Sequence, residues 1–275
     1  MRVAVVGHVE WVEFARVERV PEPGEIASAS ETWEEPDGGG AVAAVQLANL
    51  NGQVDFFTSL GDDDLGRRSK ERLIELGVTV HAADAGRPQR RAFTFIDEDG
   101  ERTITTLGPK LRPSGEDASL PWEELARCDA VYFTGGDVAA VRAARRAKVL
   151  VATSRELPTF ERAGEELDAL VGSGGDAGER FDGVALDPPP RLVVSTAGAL
   201  GGWIRPGGPF RAAPIPGPIE DAYGCGDCFA AGFAFALGAG RSVEDAVALA
   251  ARCGATVLTG RGPYGRQLTA ADVGS

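Results

Sequence analysis

The chain is 275 residues long, enough to bury a sizeable core, and α/β chains of this size commonly form one large domain. With 43% apolar and 25% charged residues, and no run near the roughly 18 apolar residues of a membrane span, the composition is that of a soluble globular protein. The formal net charge of −13 sets the mean surface field against phosphate backbones, so no nucleic-acid partner is expected and a small anionic ligand needs a local basic pocket.

The opening MRVAVVGHVEW has one Arg and a short apolar stretch cut off by Glu10 and Glu13, so it reads as a first strand, VAVVG (3–7), and not as an export signal. The cytoplasm is the expected location. His8 follows the strand end and reads as a polar side chain satisfied by its neighbours. VEWVEFARVERV (9–20) alternates in the manner of a half-buried ribbon. A glycine-rich turn then leads into a helix pattern over 41–50, and VDFFTSLG (54–61) is a second apolar strand. In GDDDLG, Asp62, Asp63 and Asp64 form an acidic first turn for a helix over 64–76, which Gly77 stops.

RAFTFIDEDGERTITTL (91–107) reads as a hairpin from its alternation and its DEDGE turn. Ribbons with one polar face do not belong inside a doubly wound sheet. The pieces from about 9–35 and 88–107 are expected to pair as a small separate sheet, either a lid over a cleft or plain edge ribbons. AVYFTGG (130–136), a helix over 138–148, VLVAT (149–153) and LVVSTAG (192–198) continue the rhythm. Their continuous apolar strands fit a parallel sheet covered by helices on both faces, so the class is α/β. GSGGDAGERFDGVALDPPP (172–190) reads as an irregular surface loop, and PFRAAPIPGP (209–218) as an extended lead into the glycine-rich stretch that begins at residue 221.

Cys128, Cys225, Cys228 and Cys253 are expected to be reduced, since nothing suggests export. Cys225 and Cys228 form a CxxC, but no second CxxC and only His8 and His81 are available to complete a zinc site, so small buried residues at a helix start are the preferred reading. No Gly-Lys dipeptide occurs, which removes a Walker loop, and GRGPYG (260–265) lacks the following helix of a dinucleotide site and reads as a chance turn.

In DAYGCGDCFAAGFAFALGAG (221–240), Phe229, Phe233 and Leu237 share one face of a buried helix that starts at about Gly226. Its first amides lack intrahelical partners, and the flanking glycines let an anion approach. Asp227 sits at the rim of this cradle, where the same amides are expected to keep it ionised and weakly basic. A weak, well-placed base suits phosphoryl transfer, in which the acceptor hydroxyl loses its proton late. The alternative is that Asp227 only complements the helix dipole, worth ~0.3 to 1 kcal/mol.

DAYGCGD (221–227) resembles the D-T-x-G-A-G-D signature of the ribokinase-like, or PfkB, carbohydrate kinases. The strand at 3–7, DGGGAVAAVQLANLNG (37–52), FFTSLGDDDLGRRSKERLIELGV (56–78), GERTITT (100–106) and VVSTAG with Gly201 fall in that family's order, so the resemblance spans nearly the whole chain. It implies a ribokinase-like three-layer α/β/α core with a mostly parallel sheet and a small β-sheet lid. It further implies an enzyme that uses ATP and Mg²⁺ to phosphorylate a hydroxyl of a sugar or sugar-like molecule.

By that resemblance Asp227 is the base, and Gly224, Cys225 and Gly226 form the anion hole. Thr196, Gly198 and Gly201 lie along the nucleotide. Asp221 stands near the phosphates or a monovalent cation, and Gly38, Gly39 and Gly40 lie under the acceptor. A homodimer through the lid strands is a further implication, although Glu10, Glu13 and Glu18 would equally protect exposed edges by charge.

Four departures from the family pattern matter. Ala43 stands where an acceptor-binding Asn is usual, and Val12 where an early Asp is expected, with Glu13 beside it as a substitute. The N-x-x-E motif that orients magnesium aligns with SGGD, which makes Asp176 the metal candidate, followed by Glu179. Cys225 adds a thiol whose pKa the helix start is expected to lower. Three readings stay open: a sugar kinase, a nucleoside kinase of the same superfamily, and a regulator on a kinase scaffold that has lost activity.

Overall fold

Alternate residues of the first strand enter two different cores. In the computed structural model, which describes residues 1–181 and 186–274, strand β1 (Val3–Val6) sends Val3 and Val5 into one apolar cluster and Ala4 and Val6 into the other. A strand buried on both faces must be covered by helices on both, and this fixes the three-layer α/β/α arrangement.

The chain continues through β2 (Glu10–Arg16), β3 (Glu31–Asp37), α1 (Gly39–Asn51), β4 (Asp55–Leu60), α2 (Asp64–Glu75), β5 (Thr79–Asp84), β6 (Arg91–Ile96) and β7 (Arg102–Leu107). There follow β8 (Ala130–Phe133), α3 (Val138–Arg145), β9 (Val149–Thr153), α4 (Leu157–Ala163), β10 (Ala169–Ser173) and β11 (Leu192–Thr196). The last elements are β12 (Gly202–Arg205), β13 (Pro209–Phe210), α5 (Cys225–Gly238), α6 (Val243–Val257) and α7 (Ala270–Val273). Of the loop expected over 172–190, its first two residues belong to β10 and residues 182–185 lie outside the described residues.

The large sheet has nine strands in the order β13-β12-β11-β10-β9-β8-β1-β4-β5, parallel from β5 to β11, with β12 and β13 antiparallel at one edge. Residues of α1, α5 and α6 fill one cluster, and those of α3 and α4 the other. Because the central strands all run the same way, the segments after β1, β8, β9, β10 and β11 emerge in a row along one edge. In an open α/β sheet, this edge is where ligands bind.

The small sheet has the order β3-β2-β6-β7. Two antiparallel pairs, β2 with β3 and β6 with β7, are joined by a parallel seam between β2 and β6. The half-buried ribbon expected at 9–20 is instead buried on both faces over most of its length. Helix α2 causes this: the Arg68 guanidinium lies 4.3 Å over the Trp11 ring on the outward face, while Val12 and Phe14 pack into the main core on the other.

The acids of GDDDLG take the structural role expected of them. Asp63 caps α2 by accepting from the Gly66 amide at 3.0 Å, and its other oxygen accepts from the Gln89 amide at 3.1 Å. Gln89 in turn accepts from the Gly61 amide and donates to the Val9 carbonyl. One carboxylate thus ties a helix start to the chain entering β6. Asp63→Ala removes the cap and this tie together, with an expected cost of about 1–2 kcal/mol, read as a lower denaturant midpoint at unchanged slope.

Candidate active site

Helix α5 is apolar on almost every side, with Phe229, Phe233, Ala231 and Ala234 buried, so its position is fixed by packing. It starts at Cys225, one residue before the expected start, because Gly224 takes the cap position at φ 79° and ψ 0°. That conformation favours glycine, and a Cβ there would also lie 3.0 Å from Val42 Cγ1 and 3.1 Å from Pro263 Cβ. The first intrahelical bond runs from the Cys228 amide to the Gly224 carbonyl at 2.9 Å. The amides of Cys225, Gly226 and Asp227 therefore have no partner within the helix, and Gly226 is exposed with open space beside it.

Asp227 lies against the glycine turn at the start of α1. A Cβ on Gly39 would come within 2.7 Å of Asp227 Oδ1 and 2.8 Å of Thr134 Oγ1, so only glycine lets this backbone approach the carboxylate. Burial raises the Asp227 pKa to about 6, and the charge of Glu179 adds to the rise, while Arg155, Arg102 and Lys110 oppose it. This corrects the expectation that helix amides keep the carboxylate weakly basic: desolvation outweighs the dipole. The Cys225 thiol is corrected in the same sense, since burial raises its pKa where the helix start was expected to lower it. All four cysteines are free thiols.

On the β1 side, the His8 ring packs on the glycine turn, with Cδ2 and Nε2 each 3.2 Å from where a Gly38 Cβ would be. His8 is buried and held neutral, first by desolvation and then by the charges of Lys110, Arg90 and Arg112. Its Nε2 lies 3.6 Å from Glu10, which pairs with Arg90 at 3.0 Å. A backbone interaction with Thr134 acts on the ring in the opposite sense and is outweighed by burial.

Asp37 is fully buried with both carboxylate oxygens unpartnered. Burial, followed by the nearby acids Glu35, Glu10, Asp227 and Asp221, pushes its pKa well above the carboxylate range. Glu13 is not part of this group. The pleat turns it to the outward face, where it pairs with Arg91, while Val12 is buried in the core and Glu10 faces His8. Ala43 is fully buried in α1.

At the opposite end, Thr196 closes β11, and Gly198 and Gly201 bound a short turn. Thr196 is partly exposed and Gly198 exposed, whereas Gly201 is buried against β13. Leu200 and Trp203 are exposed beside this shelf. Between the two ends Arg155 binds Asp176 at 2.5 Å and Glu179 at 2.6 Å. Glu179, the more buried acid of the two, also accepts from the Ser173 amide at 2.8 Å.

Asp221 is buried and accepts from the amides of Tyr223 at 3.0 Å and Gly262 at 2.6 Å. It braces the signature loop against GRGPYG, which is therefore a structural partner of the signature and not a chance turn.

The fold thus gathers Gly38, Gly39, Gly40 and Asp227 at one point, sets Thr196, Gly198 and Gly201 on the strand-end row beyond Arg155, and leaves Glu13 outside. Sequence reasoning passed over Glu10, Asp37, Arg90, Lys110, Arg112 and Glu156. Only one signal was available for any of them: Lys110 and Arg112 alternate around an apolar Leu111, as an extended segment with one buried face would.

A model of the pfkB family carbohydrate kinases matches residues 1–156 and 163–269. Over 93% of its length the chain is 29% identical to the ATP-dependent ribose-1-phosphate kinase of Halopiger xanaduensis, covering 91% of that protein. Among solved structures it resembles the ribokinase of Cryptococcus neoformans var. grubii serotype A in complex with ADP, at a TM-score of 0.76 and 23% identity over 99% of this chain and 98% of the other. It also resembles the adenosine kinase of Sinorhizobium meliloti, at a TM-score of 0.78 and 21% identity over the same shares. At these identities the structural likenesses establish the fold.

The raised pKa of Asp227 has a consequence for stability. Between about pH 4 and pH 6 the folded state holds a proton that the unfolded chain has released, so this residue's contribution to stability falls as pH rises and levels off above about 6. An ionised Asp227 then costs about 3 kcal/mol relative to a neutral one. Asp227→Asn should stabilise the fold by up to that amount at pH 8 and by nothing near pH 3, as measured by denaturant titration at both values. Equal effects at the two values would refute the burial account.

Proposed function

The chain belongs to the pfkB family of carbohydrate kinases, and from that premise we propose that it transfers the γ-phosphate of ATP to a hydroxyl of a sugar or sugar-like small molecule. The observation that carries the reading is the contact of Asp227 with Gly39, one residue along from the open amides of Cys225 and Gly226. A base, an anion cradle and a close-approach turn meet at one point.

In this reading the nucleotide lies along Thr196, Gly198 and Gly201, with its base near Leu200 and Trp203. Its γ-phosphate reaches the first turn of α5. The acceptor sits over Gly38 to Gly40 and gives its hydroxyl proton to an Asp227 oxygen, while its oxygen bonds the γ-phosphorus and the bond to the bridging oxygen of ADP breaks. Amides at the helix start take up charge on the transferring group. A carboxylate with a pKa of about 6 is a better base than an exposed one and is still ionised at neutral pH.

Arg102, at the start of β7, is close enough to Asp227 to lower its pKa, so the small sheet brings a cation to the transfer point. Its closure as a lid would exclude water from the reaction.

Asp176 and Glu179 offer oxygen donors of the kind magnesium prefers, and both are already paired with Arg155. They fit an ion held through its water shell, which would neutralise phosphate charge when bound. Asp221, with both oxygens bonded to amides, has a bracing role here, and no step is assigned to a monovalent cation.

The relatives are named for different acceptors, so acceptor class has to be argued from this chain's residues. A nucleoside is disfavoured, because the inward-facing rings of the small sheet are already engaged. Phe14 and Trp33 stack at 4.8 Å and Tyr223 caps Phe14 at 5.1 Å, so neither ring is free to hold a base.

Asp227→Asn is expected to lower kcat by about 10²- to 10⁴-fold while the Kd for ATP stays within about twofold. A kcat near wild type would remove Asp227 from the base role. In the wild-type enzyme kcat/KM should rise with pH through an apparent pKa of about 6 as Asp227 loses its proton, and a flat profile from pH 5 to 8 would contradict the assignment.

A further inference from the structure

Beside the glycine turn three cations are ion-paired with only two carboxylates, while a further acid there, Asp37, pairs with none of them. The chain returning from β7 is anchored by buried Leu111, which turns Lys110 and Arg112 to the other side of the segment. Both converge on one carboxylate: Lys110 Nζ lies 2.8 Å and Arg112 Nη2 3.2 Å from Glu156 Oε1. Glu156 is only 3% exposed, Lys110 15% and Arg112 44%. A third cation, Arg90, is 13% exposed, pairs with Glu10, and leaves its Nε buried without a partner. Three cations therefore share two carboxylates.

The cluster lies beside the glycine turn. His8, against Gly38, feels the charges of Lys110, Arg90 and Arg112, while Lys110 also acts on Glu10 and Asp227. Arg155, nearer the nucleotide shelf, is instead matched by two acids, Asp176 and Glu179. In a chain of net charge −13, a cluster of three cationic donor groups beside the transfer point is the local basic pocket that an anionic ligand requires.

Resting on the kinase reading above, we propose that the acceptor is a phosphorylated sugar, its phosphate held by Lys110, Arg112 and Arg90 and its free hydroxyl presented to Asp227. Phosphate oxygens only accept hydrogen bonds, which suits a wall of N–H donors. The other hydroxyls of the sugar both donate and accept, and the Glu10 carboxylate and the unpartnered carboxyl of Asp37 lie on the neighbouring side of the turn to meet them. A brace for the return segment would need one cation on Glu156; a second, at the exposed edge, has a role when an anion arrives between them.

The test is ADP release by the full chain with ATP, magnesium and a panel of pentose and hexose monophosphates, each beside its parent sugar. At least one monophosphate should exceed its parent by about 100-fold in kcat/KM. Arg112→Gln, at the exposed edge where folding is least at risk, should raise KM for that monophosphate by about 10- to 100-fold, the value of one charge-assisted hydrogen bond. Arg112→Lys should recover part of the loss, and KM for the parent sugar should not move.

Parent sugars turned over as well as their phosphates would overturn this inference and leave the kinase reading standing. An unchanged KM in Arg112→Gln, with unaltered thermal stability, would overturn the placement of the phosphate. Nucleotide binding without transfer to either class would defeat the kinase reading and this inference with it.

Discussion

The site depends on one close approach, that of the Gly39 backbone to the Asp227 carboxylate. Any side chain at Gly39 would collide with Asp227 and with Thr134, and any at Gly224 would crowd Val42 and Pro263 from a left-handed backbone that favours glycine. These contacts tie the starts of α1 and α5 to each other and to the ends of β1 and β8. Both helices are apolar nearly all round, so neither can shift to relieve a clash without opening the core. The free amides of α5 thus face open space at a fixed distance from a desolvated acid. Preorganisation of this kind is what electrostatic catalysis requires, because no reorganisation is left for the moment of reaction.

Charge is sorted along the strand-end row. Toward the turn at 196–201, Asp176 and Glu179 both pair with Arg155, and Glu179 raises the proton affinity of Asp227. Around the glycine turn, three cations pair with Glu156 and Glu10, and Asp37 stays unpaired. Asp227 stands between the two fields, and burial sets its pKa more strongly than either. The neutral state of His8 is reinforced by the same cations, which leaves the imidazole as a hydrogen-bonding wall of the cleft and not as a further charge in it.

Much of this was legible in the sequence where the signal is local. Continuous apolar runs disclosed the central strands, and the alternation around DEDGE disclosed the β6–β7 hairpin, because periodicity is written in consecutive residues. Strand β3, ETWEEPD, was illegible as a strand in its own right, since its acids and Pro36 argue against one until pairing with β2 and the salt bridges of Arg68 and Arg72 are known. Glu13 was misassigned because its facing depends on the register at which β2 begins, and one residue decides the side. The cations at Lys110 and Arg112 could not be placed from a short segment between prolines, since their partner Glu156 lies 44 and 46 residues away. The pKa of Asp227 is a property of its surroundings, and the motif alone pointed the wrong way.

The parallel seam between β2 and β6 joins both hairpins into one rigid plate, and two of the acids near the acceptor ride on it. Glu10 opens β2, and Asp37, its direct cross-strand neighbour, closes β3 immediately before the Gly38 turn. Because Val12 and Phe14 of the same sheet are locked into the main core, the plate holds Glu10 and Asp37 at a fixed spacing beside the glycine turn, and the shape of that wall is set before any guest arrives.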